Sequence, residues 1–544
     1  MKMTLSKRVI VPVLAATFLL VGSGFKSDFF EIAKQIEIFT TLFKELNMNY
    51  VDDTNPAELM DTAIKEMLDD LDPYTRYMNE QDVEEYKIRN AGEYSGIGAS
   101  VRRYKDRLVI VEPYKDYPAD KAGLKAGDEI IKIGDIVVED FKDDTSELLK
   151  GAVGSTVKIT YKRQGKTRET SLVRDEIEVD AVPFYGKIDD KTGYIALVKF
   201  NSKASKQTKE ALEDLKSQGV ERLVLDLRSN PGGLLNESIN IVNLFVPKGE
   251  VIVTTKSKVK KFNRVYKTKK DPIDTKIPLV VLVNGSSASA SEIVSGALQD
   301  LDRAVIMGAR SFGKGLVQRP KKLTYGTQLK VTISRYYTPS GRCIQALDYW
   351  NRDQKGKAIR TSEKDYNEFK TRRGRRVYDG GGIMPDVEVA NLKHGSLTKA
   401  LIANNVIFDF ATDFYYDKPF DDVDSFKFTD KDFERFKEFV KNHEFDYETK
   451  TEKMIKEAME NEEVEELGPK IKAEFNELLA NVDQAKLASL DSYKDEIMVE
   501  LKNQLLRHYF YREGLFKYNL TNDEAVTNAT KILANPKQYN GILK

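Results

Sequence analysis

The sequence predicts a mixed α/β protein: an α/β core carrying an inserted small β domain, with helical segments at both ends. Three observations carry that prediction. From about Asp175 to Gly308, apolar strand-like runs alternate with amphipathic helical ones, the pattern of a sheet covered by helices. From Gly92 to Arg163 the pattern changes to short strands separated by glycine turns. Outside these stretches apolar residues recur at three- and four-residue steps, as on one face of a helix. The resulting division is 1–24 as a signal peptide or N-terminal anchor, 25–90 helical, 91–175 a small β domain, 176–390 the core, and 391–544 helical.

With 544 residues the chain has room for three or four domains at about 100–200 residues each. Eighty-six basic residues balance eighty-six acidic ones, so no global field attracts nucleic acid or an anionic membrane. Basic stretches at Lys256–Lys270 and Arg372–Arg376 read as a solvated hairpin and a surface loop. A single cysteine, Cys343, excludes an internal disulfide and a cysteine-based zinc cluster.

At the N-terminus, Lys2, Lys7 and Arg8 precede an apolar run from Val9 to Val21, followed by Gly22, Ser23 and Gly24. This is the layout of a secretory signal, and the run is shorter than the ~18–20 apolar residues of a membrane span. Export is expected, with cleavage after Ser23 or an uncleaved anchor as the two outcomes. No cysteine follows the run to take a lipid.

Helices are expected from Phe29, with apolar positions at Ile32, Ile36, Phe39, Leu42, Phe43 and Leu46, and from Pro56 to Leu68 behind a cap at Thr54 or Asn55. LDPYTRYM (Leu71–Met78) interrupts them. The next segments are EYSGIGASV (Glu93–Val101), RLVIVEPY (Arg107–Tyr114), PADKAGLKAGDEIIKIGD (Pro118–Asp135) and STVKITYKR (Ser155–Arg163). In size and order they resemble a PDZ domain. By that resemblance Gly96, Ile97, Gly98 and Ala99 form the loop whose amides hold a peptide's terminal carboxylate, beside an open sheet edge.

In the core, Gly193–Phe200, Arg222–Leu227, Pro278–Asn284 and Ala304–Gly308 read as strands. Ser205–Gln218, Leu235–Phe245 and Ser291–Leu301 read as helices. Farther on, Lys431–Val440 and Ala485–Leu506 are amphipathic, and the acidic run Glu460–Glu466 reads as a solvated helix end.

Ser289, where the Pro278–Asn284 strand gives way to a helix, lies twenty-five positions before Lys314. The only histidines are His394, His443 and His508, all beyond this segment, so a lysine amine is the available base for a serine nucleophile. At a helix start the free amides favour developing negative charge, which makes Ala290 N–H one oxyanion donor. A second donor is expected from the Asn230-Pro231-Gly232-Gly233 turn, with Gly232 favoured and Gly233 the alternative. A lysine titrates near ~10.4 in water, so acting as a base requires a depression of about 2–3 units. Gln318, four residues on, is a neutral partner able to hydrogen-bond the amine. The Walker phosphate-loop pattern fails, because Gly315 rather than Ser or Thr follows Lys314.

LDPYTRYM, YSGIGASV, LVLDLRSNPGG, VNGSSASASEI, FGKGLVQ and YYTPSGRCIQ, in that order between Leu71 and Val389, resemble a C-terminal processing (tail-specific) serine protease of bacterial envelopes and chloroplast lumens. The resemblance implies a crotonase/Clp-protease-like ββα core with an inserted PDZ domain. It assigns Ser289 as nucleophile, Lys314 as general base, Gln318 as its orienting partner, and Ala290 with Gly232 or Gly233 as the oxyanion hole. It implies peptide or protein substrates with free C-termini, no metal, no cofactor and no nucleic-acid partner. The expected location is the periplasm or the periplasmic face of the inner membrane, with membrane association through the N-terminal segment and a homodimer as further expectations. Cys343 stands where the family more often has serine or another small residue, outside the dyad. The stretch Ala346–Gly382 and the helical tail are less general family features. A PDZ scaffold without catalysis and an acyl-CoA enzyme on a related core are the rival readings; the Ser289/Lys314/Gln318 set opposes the first, the export signal and PDZ-like insertion the second.

Overall fold

Alternation of side chains along the central strands explains the architecture. In the computed structural model, which describes residues 29–104, 107–141, 144–389, 394–443, 447–460 and 468–544, six strands form the core sheet. They are β1 (Phe184–Lys187), β2 (Thr192–Ala196), β3 (Arg222–Asp226), β4 (Leu279–Val283), β5 (Val305–Gly308) and β6 (Val387–Glu388), lying side by side in chain order. β1 and β2 are antiparallel and every later neighbour is parallel. Leu223, Leu225, Leu279, Val281 and Val283 face one side. They pack there against α1 (Ala204–Ser217), α2 (Leu235–Asn243) and α3 (Ala290–Asp300). Val224, Val280, Leu282, Val305 and Met307 face the other side, against Val526, Ala529, Ile532 and Leu533 of the helix Glu524–Ala534. Both faces are therefore covered, which is why β4 reads as an unbroken apolar run.

The second cover comes from the end of the chain, hundreds of residues away. Arg228 fixes it by bridging Asp226 (2.7 Å) and Asp523 (2.8 Å), and Tyr539 Oη accepts from Leu279 N (2.9 Å). The strand expected over Gly193–Phe200 ends at Ala196, and Phe200 keeps only an isolated bridge to Gly233. The amphipathic stretch expected over Ala485–Leu506 is crossed by a break at Tyr493, between the helices Pro469–Ser492 and Lys494–Asn522.

By internal contacts the chain divides into two units. Residues 1–78 with 320–331 form one, which contains a helix over 29–49, the helix Pro56–Asp69 capped by Asn55, and the pairing of Arg76–Met78 with Gln328–Lys330. In LDPYTRYM, Asp72 accepts from the Tyr74 and Thr75 amides (both 2.9 Å), which makes the turn. Residues 79–319 with 332–544 form the other, and the PDZ-like sheet belongs to it. That sheet runs in the order 99–104, 107–113, 129–133, 156–163, 166–173, so Ala99–Tyr104 is an edge strand.

The long helix Lys494–Asn522 is interrupted at Phe510 and Tyr511, the latter at φ 57°. The interruption supplies three contacts to the PDZ-like domain: Tyr511 Oη to Asp120 (2.6 Å), Arg512 Nε to Glu112 (2.8 Å) and Lys115 Nζ to Glu513 (3.2 Å). Residues 346–382 fold into two small two-stranded sheets. The N-terminal signal or anchor and most of the acidic run Glu460–Glu466 lie outside the described residues. Among those described, no helix is long and apolar enough to cross a membrane.

Candidate active site

Ser289 begins α3 with φ 54° and ψ −107°, a conformation that L-residues rarely adopt and that surrounding structure must impose. The imposing groups are the neighbouring serines and Asn284. Ser287 Oγ donates to Leu227 O (2.8 Å), Ser291 Oγ donates to Asn230 O (2.9 Å), and both serines are buried. Asn284 Oδ1 accepts from Ser229 N (2.9 Å). The hydroxyls flanking Ser289 are thus spent on backbone carbonyls, while Ser289 itself is only half-buried.

Glu292, not singled out from the sequence, organises the site. Fully buried, its Oε2 accepts from Ser289 N (2.8 Å) and Lys314 N (2.9 Å), and its Oε1 accepts from Ser311 Oγ (2.6 Å) and Gly313 N (2.7 Å). Burial pushes its carboxyl above the usual range, and these donors pull the other way. The sequence signal was available: Ser289-Ala-Ser-Glu292 is the Ser-x-x-Glu spacing of a helix capping box. Tyr336 Oη, also buried, donates to Ser289 O (3.2 Å).

The Gly-Lys-Gly loop is held on its other side by the YYTPSGRCIQ segment. Gly315 N donates to Gln345 Oε1 (2.7 Å) and Ala346 N to Gly313 O (2.9 Å). A Cβ on Gly313 would lie 2.4 Å from Ala346 Cβ, so only glycine fits there. Arg342, wholly buried, anchors the same segment to the end of α3 through Asp300 (2.8 Å) and Gln299 (2.7 Å).

The oxyanion donors separate on geometry. Ala290 is the first residue of α3, where the helix offers its N–H no acceptor. Gly232 N donates to Asn230 Oδ1 (2.9 Å), which removes it as a donor and corrects the preference for Gly232. Gly232 O accepts from Phe200 N (3.2 Å), and in a trans peptide the following N–H points the opposite way. Gly233 N–H is therefore directed away from Phe200 and is the better candidate. Gly232 serves by being small: a Cβ there would lie 2.9 Å from Ala290 N and 3.0 Å from Ser289 Cβ. Asn230, buried, also holds Leu197 O through Nδ2 (2.8 Å) and accepts Ala288 N (3.0 Å).

Gln318 Nε2 donates to Thr332 Oγ1 (3.1 Å), so its amide oxygen is the half able to accept from an amine. Beside it lies a cleft of about 550 Å³ whose walls include Leu234, Leu235, Val317, Gln318, Phe262 and Arg264.

In the PDZ-like loop, Ile97 O accepts from Ala119 N and Gly98 O from Tyr114 N (both 2.8 Å). By the same trans-peptide argument the Gly98 amide faces away from Ala119, next to the edge strand, while the Ala99 amide is taken by the Tyr94 hydroxyl. Gly98 sits at φ 72°, and a Cβ there would lie 2.4 Å from Tyr117 Cβ. Elsewhere, Glu85, Asp144 and Glu147 bring three carboxylate oxygens within 4.8 Å of one another, and none belongs to the Ser289 site.

Comparison with known proteins identifies the family and its domains. Family models match as peptidase family S41 over residues 191–349, PDZ domain over 95–173, and probable PDZ-protease, C-terminal helical domain, over 397–533. A carboxy-terminal-processing protease of Bartonella bacilliformis is 37% identical over 321 residues, 58% of this chain and 73% of that protein. The carboxy-terminal processing protease CtpA of Bacillus subtilis is 34% identical over 306 residues, 56% of this chain and 65% of that protein. Among solved structures, a photosystem II D1 C-terminal processing protease aligns with TM-score 0.36 at 28% identity, over 64% of this chain and 86% of that one. The chain belongs to the PDZ-containing C-terminal processing serine proteases, and is a serine peptidase of that family.

Proposed function

We propose that the protein is an exported endopeptidase that takes the C-terminal tails of envelope proteins on its PDZ domain and cleaves them with a Ser289–Lys314 dyad. In this mechanism Lys314 Nζ takes the Ser289 Oγ proton as Oγ attacks the scissile carbonyl carbon. Negative charge gathers on the carbonyl oxygen, facing the Ala290 and Gly233 amides. The C–N bond then breaks, the proton passes from Lys314 to the leaving amine, and an acyl ester remains on Ser289. Water, giving its proton to Lys314, attacks that ester, and Lys314 passes the proton to Ser289 Oγ as the acyl–oxygen bond breaks and the acid product leaves. Gln318 orients the amine, and the outward amide of Gly98 takes the tail's terminal carboxylate, with Ala99 joining it by giving up the Tyr94 hydroxyl.

The observation that carries this reading is the single carboxylate of Glu292, which binds the backbone amides of Ser289 and Lys314 together. Export rests on the charged and apolar layout of residues 2–24. That segment is the proposed route of membrane association, and the periplasm or the periplasmic face of the inner membrane the proposed location. A homodimer is supported by the helix over 29–49, which leaves Phe29, Phe30, Ile32, Ile36 and Leu42 exposed. The test is cleavage of a peptide with a free apolar C-terminus. Ser289→Ala should abolish it with the fold intact, and undiminished cleavage would remove the assignment.

A further inference from the structure

Among the described residues, a strongly one-signed stretch borders the cleft that Gln318 lines. Residues 256–270 carry eight cations (Lys256, Lys258, Lys260, Lys261, Arg264, Lys267, Lys269, Lys270) and no acid, in a chain whose charges cancel overall. They form an antiparallel hairpin, Val251–Lys256 with Arg264–Lys267, with Thr255 opposite Arg264. Among the described residues none of the eight has a carboxylate within 4.0 Å. Concentrating like charges without counter-charges raises the free energy of the folded hairpin, so an external anion is the natural complement.

The hairpin is also a wall of the cleft. Thr255, Phe262, Arg264 and Tyr266 face Leu234, Leu235, Val317, Gln318 and Arg319 across it. Arg264 and Tyr266 point the same way because alternate residues of a strand share a face. Leu234 directly follows Gly233, so the cleft starts where a bound peptide would leave the oxyanion turn. One carboxylate lines the cleft, that of Glu237. It is already engaged, accepting from Ser205 N (2.8 Å) and Asn240 Nδ2 (3.3 Å). Those donors are neutral and leave its charge in place, so Arg264 and Arg319 exceed it by one positive charge, backed by the hairpin lysines.

We infer that this cleft selects polypeptide segments bearing Asp or Glu beside the scissile bond, with Arg264 and Arg319 as the charge-reading residues. The inference rests on the reading of Ser289 as the nucleophile and adds a substrate class to it. A polypeptide fits better than a lipid surface because the two arginines line a concave space of about 550 Å³ together with apolar side chains. That space suits side chains on an extended strand rather than a bilayer.

The test uses full-length Ser289→Ala protein and C-terminally amidated fluorescent peptides, which lack the carboxylate the PDZ loop takes. Peptides carrying a Glu-Glu-Glu, Gln-Gln-Gln or Lys-Lys-Lys run on either side of the same apolar core are compared by anisotropy at low salt. The acidic peptide is expected to bind at least tenfold tighter than the glutamine one, with a contrast that shrinks as salt rises. Arg264→Glu with Arg319→Glu should invert the order in favour of the lysine peptide, a signature that misfolding cannot produce. Equal affinities, or no binding of any peptide, would overturn the inference, as would hairpin-dependent binding to phosphatidylglycerol vesicles without peptide preference. Cleavage of a free-carboxylate form of the glutamine peptide by the Ser289 protein, and its loss in Ser289→Ala, reads the protease assignment separately.

Discussion

Ser289 and Lys314 share one acceptor atom: Glu292 Oε2 takes the backbone amides of both, at 2.8 and 2.9 Å. The serine turn and the lysine loop are therefore fixed to each other by main-chain bonds, independently of how the lysine side chain is placed. Glu292 is a positioning residue in this scheme, since it holds the two segments without facing substrate.

Replacing that carboxylate by an amide should be damaging although shape is kept. Glu292 accepts from four donors. A glutamine offers one acceptor oxygen and turns an NH₂ group toward the remaining donors. Hydrogen bonds to a charged group contribute about 1.5–3 kcal/mol each. Glu292→Gln is expected to lower stability by about 2–4 kcal/mol and kcat by about a hundredfold, with a smaller change in KM. Thermal unfolding together with peptide kinetics reads both.

Gly232→Ala should act on the chemical step. The new Cβ would lie 2.7 Å from Ala288 O and 2.9 Å from Ala290 N, at φ 96° where alanine is strained. Crowding one oxyanion donor costs about 3 kcal/mol of transition-state stabilisation, or about a hundredfold in kcat. Single-turnover kinetics on a tail peptide should show slowed acylation with peptide binding to the PDZ domain unchanged.

Tail capture predicts dependence on a free carboxylate. With the Gly98 amide facing outward, amidating a peptide's C-terminus should weaken its binding to the PDZ domain by at least tenfold. Isothermal titration of paired free and amidated peptides checks this.

His508 ties the helical C-terminal part to pH. Burial, with Arg507 nearby, lowers its pKa from 6.5 to about 4. Nδ1 lies 2.9 Å from Gln504 O, and Nε2 lies 3.1 Å from Thr412 Oγ1. A histidine with a depressed folded-state pKa binds fewer protons folded than unfolded between those two values. Its contribution is present above 6.5 and declines as pH falls toward about 4, by at most about 3 kcal/mol at about 1.4 kcal/mol per unit. His508→Gln should flatten stability against pH across that window, measured by denaturant unfolding at a series of pH values.

Much of this was legible in the sequence, for identifiable reasons. Strand ends and helix starts around Ser289 follow from β4 being apolar on both faces and α3 having its own periodicity. Asn55 was readable as a cap because its side chain satisfies amides within its own turn. What escaped depends on distant partners. The cover of the sheet by Glu524–Ala534 joins residues hundreds of positions apart, and local periodicity carries no record of it. Asn230 looked like a turn residue, although its side chain links Leu197 to Gly232. Gly232 was preferred over Gly233 because spacing cannot tell which amide is already bonded. Glu292 is legible in principle from its Ser-x-x-Glu spacing, but that spacing marks only a helix cap and carries no sign of the Lys314 loop that the carboxylate also holds.

The central claim is that Ser289 is acylated with Lys314 as its base, and the direct measurement is labelling by a fluorophosphonate probe followed by peptide mass mapping. The probe should be found on Ser289 in the unmodified protein and be absent in Ser289→Ala. In Lys314→Ala, labelling should be at least a thousandfold slower while the fold is retained. Labelling of Lys314→Ala at the unmodified rate, or a probe attached to a different serine, would contradict the account.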